Sequence, residues 1–321
     1  MPPSHSSNTG LGAFIGSPYV ALVCSALFWS GNFVVGRALR GDVPPISLNF
    51  WRWSVALAIL LPLSFGKLLY YRAVLAAEWK IITALGLTGI AAFHICVYQA
   101  LSGTTAINAL LFLSTSPMVI VLGTWLLFGD RITTLQGLGI AVSLMGAVIL
   151  IAHGDPMVLR NFHFNRGDIW MALAVPLWAV YSILLKRRPA QLPQLALLTS
   201  SVVAGVLIML PVYLSSLWLG QTLTLNGGNV MGILYISVFA SVLAFFFWNR
   251  GVAQIGPNRA GMFLHLMPFF GAVLSIFFLG EGLALFHLTG ALFVFSGIVL
   301  TSWRQMRCLA VVHSKSSEVQ S

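Results

Sequence analysis

The feature of this sequence that most constrains its fold is a series of apolar runs, each about as long as a membrane is thick. Of the 321 residues, 58% are hydrophobic and only 7% are charged, whereas a soluble domain has about 25% charged residues. A hydrocarbon core of roughly 30 Å requires about 20 apolar residues per helix. We therefore predict an all-α integral membrane protein, with no room for a soluble catalytic or nucleic-acid-binding domain.

Apolar runs broken by charged residues, Pro or Gly predict ten transmembrane helices, five on each side of a polar insert. They lie near 18–38, 46–65, 79–100, 106–128, 133–152, 169–187, 193–219, 229–250, 259–280 and 284–303. The predicted units are a polar N-terminal tail at 1–17, a first five-helix repeat at 18–152, a connecting loop at 153–168, a second repeat at 169–303 and a tail at 304–321.

The distribution of Lys and Arg predicts the orientation of these helices. If both termini are cytoplasmic, the outer loops hold only Arg37, Arg40, Arg160 and Arg166. The inner loops and the C-terminal tail hold Lys67, Arg72, Lys80, Arg131, Lys186, Arg187, Arg188, Arg250, Arg259, Arg304, Arg307 and Lys315. Cytoplasmic loops are rich in Lys and Arg, so we expect both termini to be cytoplasmic and the loop at 153–168 to be extracytoplasmic.

The two five-helix units resemble each other. A shift of 151 residues places Pro268, Gly290 and Gly297 on Pro117, Gly139 and Gly146, and it places Glu281 on Asp130. A shift of 149 residues places Trp178 on Trp29. Because five is an odd number, consecutive five-helix units must cross the membrane in opposite senses. The pattern predicts an inverted repeat, the architecture of many secondary transporters, with a substrate site near the midplane.

Four stretches resemble the drug/metabolite transporter superfamily, in its ten-helix form with two EamA repeats. Residues 28–33 (FWSGNF) are similar to the first-helix signature of that family, and residues 50–52 (FWR) to the start of its second helix. The segments 117–146 and 268–297 are similar to the closing pattern of each repeat, although Asp130 stands where Glu is usual. Within the superfamily, the chain looks most like the bacterial aromatic amino-acid exporters of the YddG type.

This resemblance implies a monomeric, multi-pass protein of the inner membrane that needs no cofactor. Its expected activity is the export of aromatic and other neutral amino acids, such as Thr or Met, by alternating access. A carrier of another small metabolite or of a nucleotide sugar is the alternative. An intramembrane enzyme or a channel is less favoured, since the sequence contains no HExxH or GxSxG motif.

Polar residues within the spans are the candidates for the transport site, because lipid cannot satisfy their hydrogen bonds. The substrate-binding candidates are Asn32, His94, Tyr98, Gln99, Trp178, Tyr181 and His265. Other interpretations remain open: Asn32 could join two helices, Trp178 could anchor a helix at the membrane surface, and His265 could be a neutral imidazole bonded to a nearby carbonyl.

Pro117 and Pro268 are predicted to kink their helices, as a paired hinge or gate or as static bends. We expect Trp248 to belong to an interfacial belt because Arg250 is close to it. Arg52 could bind a carboxylate, but its place near the outer helix end favours snorkelling or a structural pair. Since no Asp or Glu falls in the middle of a span, we expect a nearly uncharged passage for a zwitterionic amino acid, surrounded by lipid and without a metal site.

Overall fold

The computed structural model describes residues 17–104, 106–161, 165–279 and 284–318, and within these residues it contains helices and no strands. The predicted N-terminal tail before residue 17 and the predicted Gly280 and Glu281 positions lie outside the described residues. We label the long helical segments α1 to α10 in chain order.

The first five segments are apolar helices joined by short connections. Their bounds are α1, Pro18–Gly41; α2, Pro45–Tyr70; α3, Trp79–Gly103; α4, Ala106–Leu113 followed by Ser116–Phe128; and α5, Thr134–Ile151. Pro18 and Pro45 begin their helices at the first turn, where the missing N–H group has no partner to lose. Gly129 ends α4 with a φ of 67°, which glycine adopts without steric cost.

The second five segments follow a short helix at Pro156–Arg160. Their bounds are α6, Arg166–Arg187; α7, Gln194–Trp218; α8, Gly227–Ile255; α9, Pro257–Gly261, Met262–His265 and Leu266–Leu279; and α10, Leu285–Glu318. Asn165 and Asp168 form a reciprocal capping box at the start of α6, which satisfies the free N–H groups of its first turn.

The helices α1 to α8 are each long and apolar enough to cross a membrane. The apolar part of α10, Leu285–Thr301, is shorter, so the count of ten spans stays a prediction. The helix α10 continues to Glu318, through most of the predicted tail at 304–321. No Pro or Gly follows Gly297 in the sequence, so nothing in the chain interrupts this helix.

The two units pack on each other through several helix pairs, among them α1 on α8, α3 on α6, α2 on α7 and α5 on α10. The α5–α10 pair is antiparallel, since Gly139 lies against Gly297 and Gly146 against Gly290. Glycines let the two backbones approach closely. The polar residues of α1, α3 and α6 are thereby enclosed in the interior of the bundle.

Candidate functional site

The polar face predicted for α1 points into the bundle and is tied to other helices. The Ser25 hydroxyl donates to the Ala244 carbonyl at 2.9 Å, and the Ser30 hydroxyl donates to the Met267 carbonyl at 3.0 Å. Trp29 Nε1 donates to the Ala240 carbonyl at 3.0 Å. These bonds fix α1 against α8 and α9 and hold Asn32, which is 3% exposed, in the centre of the protein.

Asn32 belongs to a buried network that includes Arg52. Tyr98 donates its hydroxyl proton to Asn32 Oδ1 at 2.9 Å, and Arg52 Nη1 lies 2.6 Å from the Tyr98 oxygen and 3.3 Å from Asn32 Oδ1. Arg52 Nε donates to the Ser241 hydroxyl at 2.8 Å. Arg52 has no exposed surface, so the interpretation that it snorkels to the membrane surface is wrong.

The aromatic candidates gather into one cluster around the ring pair Trp29 and Trp178, whose centroids are 5.0 Å apart, edge to face. Phe245 and Trp248 pack on both rings, and His94 packs on Phe93, Trp53 and Phe245. Trp178 is 2% and Trp248 is 1% exposed. Both side chains therefore lie in the core, and the prediction that Trp248 is an interfacial belt residue is wrong.

Tyr181 and Asn249 form a second tyrosine–asparagine pair beside this cluster. The Tyr181 hydroxyl donates to Asn249 Oδ1 at 2.7 Å, and the Tyr181 ring packs on Trp178. In the first unit the asparagine is on α1 and the tyrosine on α3, whereas in the second unit the tyrosine is on α6 and the asparagine on α8. Asn249 is not among the candidates that the sequence predicts.

Each unit also contains a π-helical stretch that the sequence did not reveal, Gly86–Ala92 in α3 and Ile236–Leu243 in α8. Such stretches break the regular hydrogen-bond ladder and occur frequently at functional sites. The Ala240 carbonyl accepts from Trp29, and the Ala91 carbonyl accepts from Asn49 Nδ2 at 3.1 Å. The Arg52 partner Ser241 also lies in the α8 stretch. Both irregular stretches are therefore anchored to the buried polar residues of α1 and α2.

A small central pocket of about 20 Å³ lies between Asn32, His94, Trp29 and Trp178, enough space for about one water molecule. It shares Phe33 and Met267 with a larger cavity of about 350 Å³, which we call the vestibule. The residues that line the vestibule include Leu110, Pro268, Gly271, Ala272, Arg37, His153 and His287. The central pocket therefore adjoins a cavity at the Arg37 end of the bundle.

The opposite end of the bundle, at Asp130 and Lys186, is closed by contacts between the second half of α4 and the start of α9. The Thr124 hydroxyl lies 2.8 Å from Asn258 Oδ1, and Gly261 packs against Ile120 and Pro117. Lys186 forms an ion pair with Asp130 and lies over the Phe128 ring. These contacts hold α4 against α9 and α6 at this end.

Pro117 and Pro268 follow interruptions of their helices. The helix of α4 stops at Leu113 and resumes at Ser116, so Pro117 lies in a first turn, where no N–H bond is lost. Pro268 is the third residue of the helix that follows the 3₁₀ turn Met262–His265. The expected mid-helix kinks are thus helix breaks that precede each proline.

His265 joins these two breaks. Its Nε2 lies 2.8 Å from the Ser114 carbonyl oxygen, and its Nδ1 lies 2.5 Å from the Ser143 hydroxyl. A carbonyl only accepts, so Nε2 carries the proton and Nδ1 accepts from Ser143. The imidazole is held by a neighbouring carbonyl, as the second interpretation of this residue expects, and it is fully buried between α4, α5 and α9.

Gln99 does not join the other candidates. Its side chain is only half-buried, and it lines neither the central pocket nor the vestibule. Tyr98 and Gln99 are adjacent on a helix, so they point about 100° apart. Only one of the two can face the network around Asn32.

Several buried polar atoms near the aromatic cluster have no hydrogen-bond partner within the described residues. They are Arg52 Nη2, Trp53 Nε1, Trp178 Nε1, Ser182 Oγ and Trp248 Nε1. More than about 90% of buried polar groups in proteins are bonded, so this concentration of unpaired atoms indicates a place where a polar solute or water binds. The described residues hold no cluster of three metal-ligating side chains.

Comparison with known proteins gives consistent matches over most of the chain. The profile of the EamA-like transporter family matches residues 16–152 and 165–303. The uncharacterized transporter YyaM of Bacillus subtilis (strain 168) is 24% identical over 287 residues, which cover 88% of this chain and 93% of that protein. A probable terminal-alkyne amino-acid exporter of Streptantibioticus cattleyicolor is 25% identical over 288 residues, 89% of this chain and 93% of that protein.

A solved crystal structure that is 19% identical to this chain has the same fold. It superposes with a TM-score of 0.73 and covers 91% of this chain and 99% of its own. At this level of identity the likeness concerns the fold alone.

Proposed function

The chain belongs to the EamA-like transporter family, a multi-pass membrane protein family, and from this we propose that it exports aromatic and other neutral amino acids across the inner membrane. The observation that carries the proposal is the aromatic central pocket, which adjoins a vestibule at one end of the bundle and is sealed at the other. A carrier that works by alternating access has a central site that is open to one side at a time.

The contacts between equivalent positions support two inverted five-helix repeats. At a shift of 151 residues, Gly139 corresponds to Gly290 and Gly146 corresponds to Gly297. In the structure, Gly139 contacts Gly297 and Gly146 contacts Gly290. Each glycine of the first unit therefore contacts the equivalent of the other one, which is the contact pattern that a two-fold axis produces. Trp29 and Trp178, which correspond at a shift of 149 residues, touch each other in the core. We place the axis in the membrane plane, through this tryptophan pair.

The proposed state of the protein is open to the outside. The vestibule lies at the Arg37 end, which the positive-inside rule assigns to the outer face, and the closed end holds Asp130, Lys186 and Arg259. The central pocket, with about 20 Å³, is too small for an amino acid. We infer that it expands when the solute enters, and that Pro117 and Pro268, beside the two helix breaks, are the hinge positions.

Two features support aromatic or other neutral amino acids as the solute. The central pocket is lined by the rings of Trp29, Phe93, His94 and Trp178, which suit an apolar or aromatic side chain. The Streptantibioticus relative is described as a probable amino-acid exporter. A nucleotide sugar or another metabolite is the second candidate and is tested in the same experiment.

Counterflow in proteoliposomes tests this proposal. Vesicles loaded with unlabelled phenylalanine should accumulate radiolabelled phenylalanine, and tryptophan, methionine or threonine should compete more strongly than nucleotide sugars or quaternary amines. Trp178→Ala should slow the exchange at least about tenfold, because one face of the pocket is lost. Trp218→Ala is the matched control, since Trp218 is 96% exposed on the outside of the bundle. Exchange of nucleotide sugars without exchange of any amino acid would contradict the proposal.

A further inference from the structure

The charge of Arg52 has no counter-charge in the described part of the protein. The side chain is fully buried, and its described partners are the neutral groups of Ser241, Tyr98 and Asn32. The ion pair between Lys186 and Asp130 does not involve Arg52. A buried charge is costly unless it is paired or serves a function. Packing alone therefore does not explain why a cation is buried at this position.

The guanidinium also keeps unused donors. It has five N–H groups, and Nη2 makes no hydrogen bond within the described residues. The planar group lies 5.1 Å from the Trp53 ring centroid and 5.7 Å from that of Tyr98. Held by these rings and by three neutral partners, Arg52 cannot turn away to find another acceptor.

Asn32 connects Arg52 to the wall of the central pocket. Its Oδ1 accepts from both Tyr98 and Arg52, and since Arg52 can only donate, the orientation of the amide is fixed. Because Oδ1 is occupied by these two donors, Nδ2 is the amide group left for a solute, and Asn32 lines the pocket together with His94. None of the pocket-lining residues is acidic. The pocket thus presents a donor with a buried cation behind it.

We propose that Asn32 and Arg52 recognise the carboxylate of the transported solute, and that this carboxylate contributes more to binding than the α-ammonium group. The inference rests on the proposed export of amino acids and makes it more specific. The carboxylate would bind Asn32 Nδ2 first and would reach Arg52 Nη2 as the pocket expands. This inferred site differs from the nearly uncharged passage expected from the sequence, because Arg52 lies beside the pocket and away from the membrane surface.

Analogues that lack one of the two charged groups test this inference on the unmodified protein. Inhibition of phenylalanine counterflow would be measured with 3-phenylpropionate, which lacks the ammonium group, and with phenylalanine amide and 2-phenylethylamine, which lack the carboxylate. We expect 3-phenylpropionate to inhibit within about tenfold of phenylalanine. The two cationic analogues should be weaker by about 30-fold or more, the effect of removing one partner of a buried charge pair. Equal inhibition by phenylalanine and its amide would overturn the inference.

Variants of Arg52 supply a second measurement. Arg52→Gln should abolish the preference for phenylalanine over its amide, and Arg52→Lys should retain part of it, because the point charge remains while the two-pronged donor is lost. Lys67→Gln is the control, since it removes one positive charge from an exposed position in the last turn of α2, and it should leave the preference unchanged. If Arg52→Gln does not fold, the analogue series still decides.

The outcomes separate this inference from the proposed function. Exchange of amino acids with no preference for the carboxylate would overturn carboxylate recognition and leave amino-acid export standing. Exchange of 3-phenylpropionate without exchange of any amino acid would overturn the export proposal and leave carboxylate recognition standing.

Discussion

Two tyrosines hold asparagines across the core, but only one of them also contacts a charge. The Tyr98 hydroxyl donates to Asn32 and accepts from Arg52, whereas the Tyr181 hydroxyl donates to Asn249. Both side chains are almost completely buried. The same protein therefore contains one tyrosine hydroxyl bonded to a charged group and another bonded to a neutral group, and their contributions to stability can be compared.

Removal of the two hydroxyl groups should have unequal effects on stability. Tyr98→Phe leaves a buried guanidinium without one acceptor and should lower the free energy of unfolding by about 1.5–3 kcal/mol. Tyr181→Phe removes a neutral bond and should lower it by about 1 kcal/mol. Unfolding of the purified variants in detergent, followed by tryptophan fluorescence, would measure both values. A larger loss for Tyr181→Phe than for Tyr98→Phe would contradict this account of the Arg52 network.

The sequence predicted part of this core and not the rest. Asn32, His94 and Trp178 meet at the central pocket, because polar groups in the middle of a span must face protein. Arg52 and Trp248 were placed too close to the surface. Arg52 is seven residues into α2, which corresponds to about 10 Å of helix, and Trp248 belongs to a helix of 29 residues, longer than a membrane requires. The depth of a residue depends on where the neighbouring helices lie, which sequence does not give.

At the scale of elements, the antiparallel α5–α10 pair is packed backbone against backbone at its glycines. A Cβ atom added at Gly297 would lie 2.5 Å from the Gly139 carbonyl oxygen, and one added at Gly146 would lie 2.6 Å from the Val294 nitrogen. Both neighbours are backbone atoms, which cannot move aside as a flexible side chain can. The spacing of these glycines was visible in the sequence, and their role as a packing seam follows from these contacts.

A larger side chain in this seam should separate the two helices. Gly297→Leu should prevent α5 and α10 from packing and destabilise the protein by more than about 2 kcal/mol, as overpacking of a tight core does. Gly66→Ala, which meets no atom within 4 Å on α2, is the control and should be neutral or slightly stabilising, since alanine favours helix. The yield of monodisperse protein in detergent and its thermal unfolding temperature would measure both. Normal folding of Gly297→Leu would show that the seam tolerates separation.

The irregular parts of the helices divide into those with a sequence signal and those without one. Pro117 and Pro268 indicated the interruptions of α4 and α9, although the breaks precede the prolines. The π-helical stretches at Gly86–Ala92 and Ile236–Leu243 had no such signal. A π-helical turn differs from an α-helical turn by one extra residue per hydrogen bond, and the same apolar residues suit both. Tyr181 packs on Gly89 and stabilises the π-helical turn. This contact exists only in the folded protein, so the local sequence does not reveal it.

For the whole molecule, the contacts at the two ends of the bundle are unequal, although we propose that the two units are equivalent inverted repeats. At the closed end, Thr124 bonds to Asn258 and Gly261 packs on Pro117 and Ile120. At the Arg37 end, Leu110, Pro268 and Gly271 line the vestibule. Two equivalent units that make different contacts at their two ends have a second arrangement in which the contacts are exchanged. We therefore expect the Thr124–Asn258 contact to break in every transport cycle.

A covalent bridge at this contact tests that expectation. Cys24, Cys96 and Cys308 would first be replaced by alanine, and Thr124→Cys and Asn258→Cys would then be joined by a short, reducible bis-thiol reagent. The bridge should reduce phenylalanine counterflow to the level of empty vesicles, and reduction should restore it, because the inner end can no longer open. Each single cysteine variant, treated with the same reagent, is the control and should keep its activity.

The bridged protein should still bind phenylalanine, measured by quenching of tryptophan fluorescence, since the vestibule at the Arg37 end stays open. Counterflow at the unbridged rate would mean that the solute crosses without separation of α4 and α9 at this end, and another pair of helices would then have to form the inner gate.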